Sequence, residues 1–330
     1  MLKLAYLFEN YDLARLALEN WDCDDADRAR LDDCLARFRI SSNAVYPFTQ
    51  QGALCFLRLS PAGEKLLRNL QGELDFVCWL REQGFPALRP IPAKNGSLLL
   101  ELQTPWGLWY ASAFEGVPGV SLEDADCTPS MLEGYGRTLG RLHSLSSRYT
   151  PVSPERTKWD ENDVLDWIDD TLSRLGGETP ALRESARLRE ELSQIPKTPE
   201  TYGLVHYDFE PDNVFYDAAE GFHVIDFEDG MYHWYALDVE QCLDSMAEAV
   251  PESRLEDAKD VFLSGYLAEF PLPKEALSQL SLMRRFIDLY GYARISRSVQ
   301  ETFENEPDWL LSLRETLGRR LSQLRAAFSS

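Results

Sequence analysis

The chain has 330 residues, enough for two lobes or for one domain with a sizeable helical extension. Its composition, 44% hydrophobic and 12% aromatic, excludes a disordered polymer, and a formal charge of -22, from 33 basic against 55 acidic residues, argues against nucleic acid or an anionic membrane surface as partner. No segment approaches the roughly 18 apolar residues of a membrane span. The start has no small-residue cleavage site, and the six cysteines are scattered without a CxxC pair, so a cytoplasmic protein with reduced core thiols is expected.

Residues 1–37, rich in Leu, Ala and charge, predict one or two short helices ahead of the main fold. From Arg37 to Ser60, `RFRISSNAVYPFTQQGALCFLRLS` reads as a strand, a polar bend, a second strand, a turn at `TQQG`, and a strand apolar on both faces. A helical stripe follows: Leu66, Leu70, Glu73, Val77 and Leu80 share a face, and Gly84 is the stop. The `KNG` at 94–96 and `TPWG` at 104–107 mark turns around `SLLLEL` and `GLWYASAF`, an antiparallel meander. After the link `EGVPG`, 115–119, strand signals give way to helices. Thr128 and Pro129 open one of them, with Leu132, Tyr135, Leu139 and Leu142 on its apolar face. From Glu184 onward the pattern is mostly helical, interrupted by `LVHYDFEPDNVFY` and the short strand `FHVIDF`.

That interruption carries the chemistry. Asp208 and Asn213 lie five apart with Pro211 between them, which prevents a regular helix and gives a loop whose polar side chains can converge. Thirteen residues beyond Asn213 the strand delivers Asp226, and a hairpin-like return brings it back beside Asn213. Two carboxylates and an amide oxygen are hard ligands, suited to magnesium on phosphates and not to zinc. Around them the bland alternatives stay open. His223 and His233, in apolar or aromatic surroundings, read as fold histidines. Glu210, Asp212 and Glu228 are acceptor contacts or solvated surface, with Asp229 a further candidate. The aromatic run `MYHWY`, 231–235, is core or a cage for a cation. Asp238 reads as a structural acid that braces the loop.

The pattern HxDxxxxN formed by His206, Asp208 and Asn213, followed by Ile225-Asp226-Phe227, resembles the aminoglycoside phosphotransferase and choline kinase family of kinase-like enzymes. `GRTLGRLHSL`, 136–145, is similar to the helix that often precedes the catalytic loop there. The resemblance implies an α+β, two-lobed protein-kinase-like fold: a small antiparallel-sheet N-lobe with one key helix, and a larger, mostly helical C-lobe. It implies an N-terminal extension at 1–37, a nucleotide-binding lobe at 38–114, a hinge at 115–119, and a catalytic and acceptor-binding lobe at 120–330. Asp208 would orient the acceptor hydroxyl and take its proton, while Asn213 and Asp226 would hold Mg2+. Arg58 stands where the family's strand lysine contacts the nucleotide phosphates, and Glu73 matches the helix glutamate that holds it. The residues agree independently, since a Glu in an apolar stripe needs a cation and an Arg on a two-faced apolar strand needs an anion. The turn at Ser41, Ser42 and Asn43 replaces a GxGxxG phosphate loop, and backbone at Phe114, Glu115 and Gly116 would receive the purine.

Two further departures are Arg in place of Lys at 58, which substitutes a planar fork for a point donor, and Glu228 where protein kinases have Gly. The expected activity is magnesium-dependent transfer of the γ-phosphoryl group of ATP, with GTP as an alternative donor, to a hydroxyl of a small molecule. A cationic acceptor such as an aminoglycoside or amino alcohol is the particular expectation, because Glu210 and Asp212 flank Asp208 and more carboxylates and aromatics follow Asp226. A protein Ser/Thr kinase would share the same phosphate-handling site. A nucleotide-binding scaffold without turnover is the other alternative, and joint retention of Asp208, Asn213 and Asp226 argues against it.

Overall fold

The computed structural model describes residues 3, 10–24, 37, 39–40, 43–176, 178–302, 304 and 306–328. Helix α1, Tyr11–Leu18, starts at Asn10, whose side-chain oxygen accepts from Leu13 N at 2.9 Å. Its inner face, Leu13, Ala14, Ala17 and Leu18, packs into the same core as Tyr46, Phe48, Leu57 and Leu59 of the first sheet. The helix ahead of the strands is therefore a layer of that lobe.

The sheet contains β1 (Arg39–Ile40), β2 (Ala44–Gln50), β3 (Ala53–Pro61), β4 (Pro90–Ile91), β5 (Leu100–Thr104) and β6 (Gly107–Glu115). Its order is β1-β2-β3-β6-β4, with β5 also on β6, and every pairing is antiparallel. Strand β3 is buried on both faces from Leu57 onward, as its unbroken apolar run predicts. Leu57 and Leu59 join the core with α1, so the intervening Arg58 points to the opposite face. There it meets α2, Leu67–Glu82. Leu70, Glu73, Val77 and Leu80 are buried on that helix, while Leu66 lies outside it and is exposed. Gly84, with φ 74°, follows the end of α2 in the left-handed region.

Helix α2 joins the two lobes. Its Leu74, Phe76, Val77 and Leu80 belong to the core of the helical lobe, and Gly72 leaves room for the backbone of Thr157 and Lys158, where a Cβ would sit 2.9 Å from Lys158 N. Arg68 and Asp75 on the same helix pair with Asp163 at 2.7 Å and Arg156 at 2.5 Å. Backbone bonds from Leu88 N to Val224 O and from Val224 N to Pro86 O, both 2.9 Å, add a second tie between the lobes.

The larger lobe begins with β7 (Val120–Ser121), followed by α3 (Pro129–Ser146), α4 (Glu161–Leu175) and α5 (Thr179–Ser193). Thr128 caps α3 through Met131 N, with Pro129 in its first turn. Strands β8 (Tyr202–Val205), β9 (Val214–Asp217), β10 (Gly221–Val224) and β11 (Met231–Trp234) form two small antiparallel sheets, β10-β9-β7 and β11-β8. Then come α6 (Ala236–Ala249), α7 (Leu255–Glu269), α8 (Lys274–Leu277), α9 (Leu280–Ser298) and α10 (Asp308–Phe328). The architecture is the α+β, two-lobed kinase-like fold expected from the sequence. Among the described residues no helix is long and apolar enough to cross a membrane.

Candidate active site

Strand β8 ends at Val205 and hands the chain to a loop that carries His206, Tyr207 and Asp208. Pro211–Asn213 then form a single 3-10 turn, as the proline dictates, before β9. The β9–β10 hairpin pairs Val214 with Val224, and Ile225 N donates to Asn213 O at 3.0 Å, so Asp226 returns beside Asn213. Asn213 Nδ2 donates to Asp208 twice, to its backbone oxygen and to Oδ2, both at 3.0 Å. The structure thus brings Asp208, Asn213 and Asp226 together. The strand stops at Val224 because Asp226 is left-handed, φ 61° and ψ 59°, and starts a 3-10 turn over Phe227–Asp229. Tyr207 is left-handed as well, φ 64°. Neither is glycine, and strain of this kind persists only where surrounding bonds impose it.

Those bonds come from Asp238 at the start of α6. Fully buried, it accepts from His206 N (Oδ2) and Tyr207 N (Oδ1), both at 2.8 Å, and from His143 Nε2 at 3.0 Å. Burial would raise its pKa, but these donors outweigh burial and hold it below the ordinary value. His206 bonds Ile225 O through Nε2 at 3.0 Å and accepts Asp208 N on Nδ1 at 3.2 Å. Burial pushes its imidazole down to about 4, so it is a neutral strut between the two halves of the site.

Burial, then the carboxylates of Asp226, Asp229 and Glu210, pushes Asp208 well above the ordinary range. Asp226 is pushed up to about 7, first by burial and then by Glu228. Negative potential therefore concentrates where the three residues converge.

The Arg58 and Glu73 side chains meet in two parallel bonds, Nη1 to Oε1 at 2.8 Å and Nη2 to Oε2 at 2.7 Å. Both residues are buried, and the guanidinium also lies 4.8 Å from the Phe114 ring. At the hinge, Glu115 N donates to Arg89 O and Gly116 N to Leu54 O, both at 2.8 Å, so the sheet already uses these two donors. Ser42 lies outside the described residues, as does Ser41. Asn43 is buried: it accepts from Ser60 Oγ at 2.7 Å and donates to the Glu228 carboxylate.

Glu228 and Asp229 occupy ion pairs within the protein. Glu228 is buried and bonds Asn43 and Lys65, while its backbone oxygen accepts from the buried Lys158. Asp229 pairs with Arg294 at 2.6 Å, and Arg294 also faces the Tyr290 ring. The `MYHWY` run is β11 and its exit, with Met231, His233, Trp234 and Tyr235 in the core. Lys65, Lys158 and Arg294 were not singled out from the sequence. Arg294 lies at a half-buried position of α9, outside that helix's buried stripe, so unlike Glu73 it is no charge in an apolar row. Lys65 and Lys158 sit in irregular segments with no period to betray them.

This fold and site place the chain among the kinase-like phosphotransferases. The sequence model described as the phosphotransferase enzyme family matches residues 35–270, and the chain belongs to that family. It is a transferase, a kinase whose acceptor is a hydroxyl group. Amicoumacin kinase of Bacillus subtilis (strain 168) is 24% identical over 290 residues, 84% of this chain and 84% of that one. Homoserine kinase of Caulobacter vibrioides (strain NA1000 / CB15N) is 29% identical over 216 residues, 63% of this chain and 65% of that one. Among solved structures, an amicoumacin kinase in complex with AMP-PNP, Ca2+ and Ami matches with a TM-score of 0.79 at 18% identity, over 98% of this chain and 94% of that chain. A microcompartment-associated aminopropanol kinase matches with a TM-score of 0.69 at 22% identity, over 97% and 95%.

Proposed function

We propose that the chain transfers the γ-phosphoryl group of ATP, with Mg2+, to a hydroxyl of a small molecule that also carries a positive charge. The observation that carries this is the convergence of Asp208, Asn213 and Asp226 on one point between the lobes. Asn213 holds Oδ2 of Asp208, which leaves Oδ1 to receive the acceptor hydroxyl and its proton. The raised pKa of Asp208 suits that role, since it makes the carboxylate a better base than an exposed one.

The donor set fits a hard divalent cation: the Asn213 amide oxygen, freed because Nδ2 faces Asp208, and the Asp226 carboxylate, whose charge burial and Glu228 oppose. Among the described residues no group of three or more His, Cys, Asp or Glu side chains is set to hold a metal alone, so phosphate oxygens would complete the sphere. Bound there, the cation would shield the phosphate charge and orient the phosphoryl group. Arg58, aimed by Glu73, would hold the nucleotide phosphates, and Asn43 would support the turn above them through Glu228. In the hinge at 115–119, the Glu115 carbonyl and the Val117 N–H are the groups left for a purine edge, because the Glu115 and Gly116 donors are engaged. On this assignment residues 38–114 hold the nucleotide and 120–330 the catalytic loop and acceptor.

AMP-PNP in the amicoumacin kinase structure supports an adenine nucleotide, and relatives named for amicoumacin, homoserine and aminopropanol support a small acceptor. Aminopropanol is itself a cationic alcohol at neutral pH. For the charge on the acceptor, Glu210 and Asp212 beside Asp208 and the net charge of -22 are the local support, Glu228 and Asp229 being already paired. The test is phosphorylation by MgATP of matched neutral and cationic hydroxyl compounds at two ionic strengths. Higher kcat/KM for the cationic series, falling with salt, is expected. Equal or better turnover of the neutral series would overturn the cationic acceptor, and no turnover of any small hydroxyl compound would overturn the whole assignment.

A further inference from the structure

We propose that Tyr266 on α7 is a positioning residue for Asp208, acting through the buried relay formed by His143 on α3 and Asp238. The proposal rests on Asp208 being the group that meets the acceptor. Asp238 grips the catalytic loop by two backbone N–H groups, those of His206 and Tyr207, immediately before Asp208. The second grip holds Tyr207 in its left-handed conformation, so whatever aims Asp238 also aims Asp208.

His143 does the aiming. Its Nε2 lies 3.0 Å from Asp238 Oδ2 and its Nδ1 lies 2.9 Å from the Tyr266 hydroxyl, and all three residues are fully buried. Burial keeps the imidazole neutral, outweighing the attraction of Asp238. A neutral imidazole facing an ionised carboxylate, which only accepts, must carry its proton on Nε2. Nδ1 is then a bare acceptor in a dry core, and the Tyr266 O–H fills it. Tyr266 thereby fixes the tautomer that lets His143 hold Asp238.

The approach of the two helices is built for this contact. On α3, a Cβ at Gly140 would lie 2.5 Å from Tyr266 O, and one at Gly136 would collide with Phe262 O. On α7, a Cβ at Gly265 would collide with Glu133 O. The helices therefore meet backbone to backbone, which brings the tyrosine hydroxyl to the histidine. Helix α3 also braces the loop through Tyr135 Oη to Phe209 O at 2.5 Å, and the strand that leads into it through Ser146 Oγ to Leu204 O at 2.7 Å.

The test uses the full chain with Tyr266→Phe, His143→Gln, His143→Ala and the double variant Tyr266→Phe/His143→Ala. Three readouts are taken: amide hydrogen exchange at His206 and Tyr207, transfer of the MgATP γ-phosphoryl group to water, and the Kd for MgATP. In Tyr266→Phe, exchange at the two amides should quicken about 10-fold and transfer to water should fall about 3- to 10-fold, the size expected for one buried hydrogen bond, with the Kd unchanged within about 2-fold. A merely structural role would instead loosen α7 and lower Tm without singling out these amides. The Gln amide nitrogen can still donate to Asp238, so His143→Gln should keep more turnover than His143→Ala. Adding Tyr266→Phe to His143→Ala should change nothing further, because no side chain is left through which Tyr266 can act. Unchanged exchange at His206 and Tyr207, or a double variant whose losses multiply, would overturn the relay. Absence of turnover in the wild type would instead count against the proposed function, while the exchange result would still judge the relay.

Discussion

The guanidinium of Arg58 and the carboxylate of Glu73 lie fork to fork, 2.8 and 2.7 Å apart, in the layer between β3 and α2. Neither charge has water to fall back on, since both residues are buried. Arg58→Ala should therefore cost about 3–5 kcal/mol of stability, because it leaves Glu73 buried without its cation. The double change Arg58→Met with Glu73→Leu should recover most of that stability but not nucleotide affinity. Chemical denaturation and MgATP titration of the three proteins check both parts, and a single variant as stable as wild type would contradict the pairing.

Glu228 should behave as a nucleotide-lobe residue although it follows the metal motif. Its carboxylate holds Asn43 in the turn before β2 and Lys65 ahead of α2. Removing it in Glu228→Ala should weaken MgATP binding about 10-fold and destabilise the protein by on the order of 3 kcal/mol, as Lys65 and Asn43 lose a buried partner. Calorimetric titration reads the first effect. Unaltered MgATP affinity would mean that the turn is held by other contacts.

His233 supplies a pH-dependent prediction. It is fully buried against Phe286, both ring nitrogens lack a hydrogen-bond partner among the described residues, and burial pushes it down to about 3. A histidine whose folded pKa is depressed contributes stability that is present above the ordinary value near 6.5 and is lost as pH falls toward the folded pKa, because the unfolded chain takes up the proton first. His233→Leu removes that loss. The stability difference between variant and wild type should widen as pH falls from about 7 to 4, by up to about 1.4 kcal/mol per pH unit at the acid end. Comparison of the two proteins cancels the contributions of His206 and His143. A difference that stays flat with pH would show that His233 is not held neutral.

Much of the fold was legible because its signals are local. The apolar run of β3, the stripe of α2, the cap at Thr128 and the proline turn before Asn213 each follow from residues within one element. Arg58 and Glu73 stood out as charges where periodicity demanded apolar side chains. The fate of Glu228 and Asn43 could not be read this way, since they are 185 residues apart and each looks like loop surface in its own segment. The same holds for Asp229 and Arg294, and for His143, which occupies an apolar helix face while its partners arrive on α6 and α7. Only tertiary packing reveals that these polar groups satisfy one another. It also removed part of the support for a charged acceptor, because two of the carboxylates counted toward it are neutralised within the protein.

The measurement that bears most directly on the central claim is phosphoryl transfer from MgATP by Asp208→Asn, set beside the Tm shift that MgATP produces in the same protein. Asn has nearly the same shape but cannot take a proton, and the nucleotide is assigned to Arg58, Asn213 and Asp226. Transfer should fall by about 10²–10⁴-fold while the MgATP-induced Tm shift stays within a degree or two of wild type. Turnover within a few-fold of wild type would contradict the assignment of Asp208 as the group that takes the acceptor proton.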